Sequence, residues 1–218
     1  MAERISNDDI INSLLNESFY KSAGATSLAD IAGNLSIKKA SLYNHFDSRE
    51  AIIKASYDEC RKYLAEIYFT PLDAETVAKK YSPETVLKGC INRYFKMHEK
   101  EPLFQIYTFV ESQKYFNQEA QDIIIEEKSK LLDQVKHLMQ IFCTLDKISI
   151  KRDMIDSVCM WFVSATNDLM NIYLLNKKQY LMNNPATGKG ELFNIQDDQT
   201  EMLKINALID QFVILLKQ

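Results

Sequence analysis

The sequence predicts an all-α protein. Apolar residues recur at three- and four-residue spacing along most of the chain, the beat of helices with one face turned inward. Only 5 glycines and 4 prolines interrupt 218 residues, and no alternating run bounded by turn residues marks a strand. Several of the apolar beats open on a helix-start signal, the clearest being Ser82-Pro83-Glu84.

The length suits one large domain, or a small one joined to a medium one. At 46% hydrophobic and 26% charged, the composition is ordinary for a globular protein. The net charge of −4 is unusual for a chain that handles nucleic acid. Local charge matters more than the sum, because phosphate contact needs only one basic face. Cys60, Cys90, Cys143 and Cys159 lie far apart in helical patterns, without zinc spacing, and read as buried, reduced thiols. No signal-peptide pattern and no membrane-length apolar run is present, so a cytoplasmic location with no membrane partner is expected.

The first helix opens at Ser6-Asn7-Asp8-Asp9, where Ser6 or Asn7 can cap and the carboxylates sit in the positive first turn. Ile10, Ile11, Leu14, Leu15, Ser18 and Phe19 share its inner face, and Gly24 is the expected left-handed stop. Residues 1–5 carry Arg4 as their only cation, which argues against a basic arm reaching into a minor groove.

From Thr26 to Arg49 the chain reads as two short helices joined by a tight turn, followed at once by a third helix. Thr26 stands where an N-cap belongs, ahead of Leu28, Ile31, Ala32 and Leu35. Asn34 to Ile37 supplies the turn. In the second short helix Ile37, Leu42 and Phe46 can point inward, leaving Lys38, Lys39, Ser41, Tyr43, Asn44 and His45 outside. Donors, two cations and an aromatic on one exposed face suit a DNA major groove.

Asp47 or Ser48 then starts a helix running to about Tyr68 through Ile52, Tyr57, Cys60 and Leu64. At roughly twenty residues it spans about 30 Å and can join a small bundle to a second body. Pro71 breaks the chain, and residues 69–82 read as a linker with a helical turn at Ala74–Lys80. Further helices are expected from Ser82 to about Lys100, over Leu103–Tyr115, and from an Asn117 cap to about Leu145.

Residues 150–180 form a helix that is apolar on two sides. Met154, Val158, Trp161, Ala165, Leu169 and Ile172 line one face, and Cys159, Val163, Thr166, Met170 and Tyr173 another. Such a helix must be covered twice. Residues 200–217 repeat the theme with Met202, Ile205, Leu208, Ile209, Phe212, Val213 and Leu216. The two helices read as half of a symmetric four-helix interface between copies of the chain, an ordinary buried core helix being the alternative. The stretch 181–199, with NNP, TGKG and DDQ, reads as a mobile loop.

Thr26, Ile31-Ala32, Ser41-Leu42-Tyr43, His45-Phe46 and Arg49-Glu50 stand at the spacing found in the TetR family of transcriptional regulators. Over roughly residues 6–55 the chain closely resembles that family's DNA-binding segment. It departs from the pattern at Ser36, where the turn usually holds Gly, and at Ala40, where Gly is frequent. A serine in the turn costs about 1 kcal/mol relative to glycine.

The resemblance implies an N-terminal three-helix helix-turn-helix bundle, residues 1–48, joined by a long helix to a helical effector-binding and dimerisation domain, residues 49–218. It implies a homodimer on a pseudo-palindromic double-stranded DNA operator. Lys38 is then expected among the operator-binding residues, with Lys39, Tyr43, His45 and Arg49 mainly at phosphates, and Ser41 and Asn44 at base edges. Thr26 and Ser27 would offer a hydroxyl and a backbone N–H to a phosphate.

A small-molecule effector is implied as well. Asn167 and Asp168 interrupt an apolar run near Ser164 and Thr166, which calls either for hydrogen bonds across the dimer or within the bundle, or for a cavity that meets a small molecule. Candidate walls are Tyr63, Tyr94, Met97, Phe104, Tyr107, Met139, Trp161, Phe162, Asn167 and Met170. His45, His98 and His137 are isolated, and Glu126-Glu127 and Asp197-Asp198 read as solvated charge. No catalytic, cofactor or metal site is expected. The reading is a regulator, most simply a repressor released by its effector. The alternative is a helical small-molecule-binding or interaction protein that does not use its helix-turn-helix on DNA.

Overall fold

The computed structural model describes residues 5–184 and 199–217. The readings at Arg4, at Asp197-Asp198 and over most of the 181–199 loop lie outside the described residues. Every regular element among those described is a helix: α1 Asn7–Lys21, α2 Leu28–Asn34, α3 Lys39–Leu42, α4 Arg49–Ala65, α5 Ala74–Lys80, α6 Pro83–His98, α7 Leu103–Gln113, α8 Gln118–Thr144, α9 Ile155–Asn183 and α10 Gln199–Leu216. The chain packs as two compact units, residues 1–67 with 101–126, and residues 68–100 with 127–218. By packing, then, the first unit extends beyond residue 48 to take in all of α4 and α7.

In the first unit α1, α2 and α4 each start where a serine side chain satisfies a free N–H group. Ser6 caps α1 reciprocally: its hydroxyl accepts the Asp9 N–H at 3.1 Å, and the Asp9 carboxylate accepts the Ser6 N–H at 2.8 Å. These hydrogen bonds hold the Asp9 carboxyl below its ordinary range. At the other end the positive φ belongs to Ser22, at 81°, and Gly24 has an ordinary φ, contrary to the expected stop. The Ser22 N–H donates to the Ser18 carbonyl at 2.9 Å, so the chain leaves the helix two residues early.

The cap of α2 is Ser27, one residue beyond the expected Thr26. Ser27 and Asp30 form a second reciprocal box, whereas Thr26 is turned inward. The helix closes in a Schellman turn, with the Ile37 N–H on the Ala32 carbonyl at 2.9 Å and the Ser36 N–H on the Gly33 carbonyl at 3.1 Å. Ser36 takes the left-handed conformation, φ 57°, at the position where a glycine was expected to be easier. The next helix, α3, is a single turn continued by bends, in which Leu42 is buried and Ile37 and Phe46 are half-buried.

Ser48 caps α4 by accepting the Ala51 N–H at 3.1 Å. In this unit α1 packs on α2, α4 and α7. Its core holds Ile10, Leu14, Phe19, Ile31, Leu42, Ile52 and Tyr57. Phe19 meets Phe104 edge-on at 4.9 Å between ring centroids, and Tyr57 meets Phe109 at 4.8 Å. Arg61 of α4 reaches Glu119 at 3.2 Å and Glu126 at 3.0 Å on α8.

The second unit is organised on α6, capped by Ser82 with Pro83 in the first turn, as the sequence predicts. α6 packs against α5, α9 and α10. Lys88 pairs with Asp210 at 2.5 Å, and Lys217 pairs with Glu84. α8 ends in another Schellman turn, with Asp146 at φ 54° and the Lys147 N–H on the Phe142 carbonyl at 2.9 Å. The Lys147 ammonium then donates to the carbonyls of Ala78, Lys79 and Tyr81, covering the C-terminal end of α5.

The two faces of α9 differ in exposure, with Val158 and Leu169 of the Met154 face half-buried. Cys159, Val163, Thr166, Met170 and Tyr173 are buried, while Met154, Trp161, Ala165 and Ile172 of the other face are exposed. On α10 Met202, Ile205, Ile209 and Val213 are buried, while Leu208 and Leu215 stand open. Cys60, Cys90 and Cys159 are buried free thiols, each pushed up by desolvation, to about 12, 11 and 11 respectively, whereas Cys143 is half-buried, contrary to expectation. Among the described residues no helix is long and apolar enough to cross a membrane.

Candidate nucleic-acid interface

The surface of the first unit between Lys38 and His45 follows from the short α3 turn. Burying Leu42 leaves its neighbours in sequence outside. Lys38 is the N-cap residue with extended backbone, and Lys38, Lys39 and Asn44 are all exposed. Tyr43 is 52% exposed, its ring free to lie along a backbone. Ser41 is half-buried. His45 is also half-buried, and its Nδ1 lies 2.9 Å from the Asn7 amide oxygen at the start of α1. Against that acceptor Nδ1 carries the proton, so Nε2 is the nitrogen left for any partner outside. Lys54, one turn into α4, adds a further exposed cation.

Three expected contacts are engaged internally. The Thr26 hydroxyl, on a residue 1% exposed, donates to the Ser22 carbonyl at 2.9 Å. Ser27 is exposed, but its N–H and hydroxyl both donate to the Asp30 carboxylate at 2.8 Å. The Lys21 ammonium at 2.6 Å, with the Ser27 hydrogen bonds, holds that carboxyl down at about 2. An anionic group therefore already occupies the N-terminus of α2. Arg49 directs its guanidinium onto the carbonyls of Ala23 and Thr26.

Asp30 is given no role by the sequence reading, although the Ser-x-x-Asp spacing of a capping box, Ser27 to Asp30, was a signal for it. Asn7 is read only as a possible cap, and no local signal marks it as the partner of His45, 38 residues away.

The ten candidate ligand walls do not fall together by packing unit. Tyr63, Phe104 and Tyr107 belong to the first unit, and Tyr94, Met97, Met139, Trp161, Phe162, Asn167 and Met170 to the second. Trp161 is 80% exposed and lies on the open face of α9, so it walls no interior cavity. Asp168 is exposed on that same helix and Asn167 is half-buried, so the cost of a fully buried carboxylate does not arise. Among the described residues, two recesses of the second unit, of about 420 and 300 Å³, form around residues 68–76 and between Pro71 and Arg93, and none of the ten lines either.

Polar groups buried in the second unit are tied to structure. His98 is held down at about 4 by burial, its Nδ1 donating to the Tyr94 carbonyl at 2.8 Å. The Tyr173 hydroxyl donates to Glu99 at 2.6 Å, and Lys177 stands 3.6 Å from the same carboxylate oxygen.

Comparison with known proteins agrees with this geometry. Residues 19–56 match the family model described as "Bacterial regulatory proteins, tetR family". The chain is 43% identical over 60 residues to the biofilm operon icaADBC HTH-type negative transcriptional regulator IcaR of Staphylococcus aureus (strain Newman). It is 37% identical over 59 residues to IcaR of Staphylococcus epidermidis. The matched stretch covers 28% and 27% of this chain and 32% of each relative, so the likeness spans about a third of the relatives' length.

Whole-chain likeness is structural. A TetR transcription regulator from Haloarcula marismortui superposes with a TM-score of 0.58 at 12% identity, covering 97% of this chain and 98% of that one. A transcriptional regulator from Rhodococcus sp. gives 0.59 at 8% identity, covering 98% and 99%. At such identities the agreement concerns the fold. The match over residues 19–56 makes that segment similar to the TetR family of bacterial regulatory proteins.

Proposed function

We propose that this chain is a homodimeric transcriptional repressor that binds a pseudo-palindromic operator through its first unit and is released by a small-molecule effector. The observation that carries the reading is the exposed surface Lys38, Lys39, Tyr43 and Asn44, displayed on and around the one-turn helix α3 within residues 19–56, the segment that matches the family model. Lys38, Lys39, Tyr43 and His45 meet phosphates, and Asn44 and Ser41 meet base edges. Dimerisation uses the open apolar faces of α9 and α10, where Trp161, Ile172, Leu208 and Leu215 stand exposed. A two-fold pair presents two reading surfaces to half-sites about one helical turn, some 34 Å, apart. An effector that binds more tightly to a dimer with the wrong spacing releases the DNA.

The test is a mobility-shift titration with the DNA upstream of the protein's own coding sequence. Lys39→Ala and Tyr43→Ala weaken binding to every sequence, while Asn44→Ala changes base preference. Unchanged affinity in all three variants rejects this surface as the interface.

A further inference from the structure

The residue that resemblance assigns to a phosphate has a different task in the structure. Arg49 is the first residue of α4. Its Nε–H donates to the Thr26 carbonyl at 2.8 Å, and its Nη2 donates to the Ala23 carbonyl. Both acceptors belong to the turn 22–27 that joins α1 to α2. A third carbonyl of that turn, Ser22, accepts the buried Thr26 hydroxyl at 2.9 Å. The turn starts from Ser22 at φ 81°, so it lacks the repeating bonds of a helix and depends on side chains to hold it. A guanidinium presents several donors in a rigid plane and can bridge two carbonyls at once. An ammonium on a flexible stem does not fix that geometry.

We propose that Arg49 is a positioning residue for DNA binding. By bridging Ala23 and Thr26 it holds the turn against the start of α4. That sets the Ser27 cap and, through the packing of α2 on α3, the placement of Lys38 to His45. Arg49 neutralises no phosphate itself. The inference rests on the proposed DNA-binding reading, but its first readout does not need DNA.

The experiment compares the full-length protein with Arg49→Lys, Arg49→Gln and, as a phosphate-contact reference, Lys39→Ala. In DNA-free protein, amide hydrogen exchange over residues 25–29 accelerates about tenfold or more in both Arg49 variants and stays unchanged in Lys39→Ala. Operator affinity, measured from about 50 to 200 mM salt, falls at least about tenfold in both Arg49 variants, with the wild-type slope of log K against log salt. Lys39→Ala lowers that slope by about 0.9 per lost contact, or about 1.8 per dimer.

If Arg49→Lys matches wild type in exchange and affinity while Arg49→Gln lowers the salt slope, Arg49 is a phosphate contact and the proposal is wrong. Unchanged exchange in both variants overturns it equally. Should Arg49→Gln fail to fold, Arg49→Lys carries the test, since it keeps the charge and loses only the fork. Absence of operator binding by the wild type rejects the DNA-binding reading and leaves the exchange result to decide the clamp.

Discussion

Truncating one exposed side chain should take the proposed dimer apart without harming the protomer. Trp161 sits near the middle of the open face of α9, 80% exposed. An indole has an accessible area of about 250 Å², so roughly 200 Å² is available to be covered by a partner. At about 25 cal/mol per Å² that is worth about 5 kcal/mol if covered completely. A well-packed aromatic anchor typically loses roughly 2–4 kcal/mol on truncation to alanine. Two-fold symmetry counts the substitution twice, so Trp161→Ala should cost the dimer at least about 4 kcal/mol, raising its dissociation constant about a thousandfold. Sedimentation velocity across a concentration series reads this directly. Far-UV circular dichroism at matched concentration should show the same helix content, because the indole contributes little to the protomer's own core. A Trp161→Ala protein with a dissociation constant within about tenfold of wild type, or a wild-type chain that stays monomeric at high concentration, would refute the α9–α10 interface.

Two other outcomes follow from single residues. The native pKa of His98, about 4, lies below the ordinary 6.5, so the unfolded chain takes up the proton first. The stability this contributes is fully present above about pH 6.5 and is lost as pH falls towards 4, by roughly 3 kcal/mol in all. His98→Phe should flatten the pH dependence in that window, seen in urea unfolding at pH 7 and pH 4.5. Ser36 holds the left-handed position of the α2 Schellman turn. Ser36→Gly removes the Cβ strain but adds entropy to the unfolded chain, for a net gain of roughly 0.5–1 kcal/mol, visible as a melting temperature higher by about 1–3 °C.

Much of this molecule is legible in local pattern, because helix formation answers to neighbours three and four residues away. The Ser82-Pro83 start, the turn at Ser36 and the two-sided character of α9 are consequences of short-range chemistry, and they stand in the structure where the sequence puts them. The exposure of Lys38, Lys39, Tyr43 and Asn44 follows from the burial of Leu42 on a single helical turn. Ends of elements were less legible. The α1 stop at Ser22 and the cap at Ser27 each fell a residue or two from the expected place, since adjacent small polar residues compete for the same free backbone groups.

The sequence by itself determined the helices, their amphipathic faces and the kind of surface the N-terminal segment displays. Only the tertiary structure decided what the donors on that segment do. Arg49 finds acceptors 23 and 26 residues back along the chain, and His45 finds Asn7 across 38. A side chain's partner is whichever acceptor folding brings within about 3 Å, and spacing along the sequence carries no record of that distance.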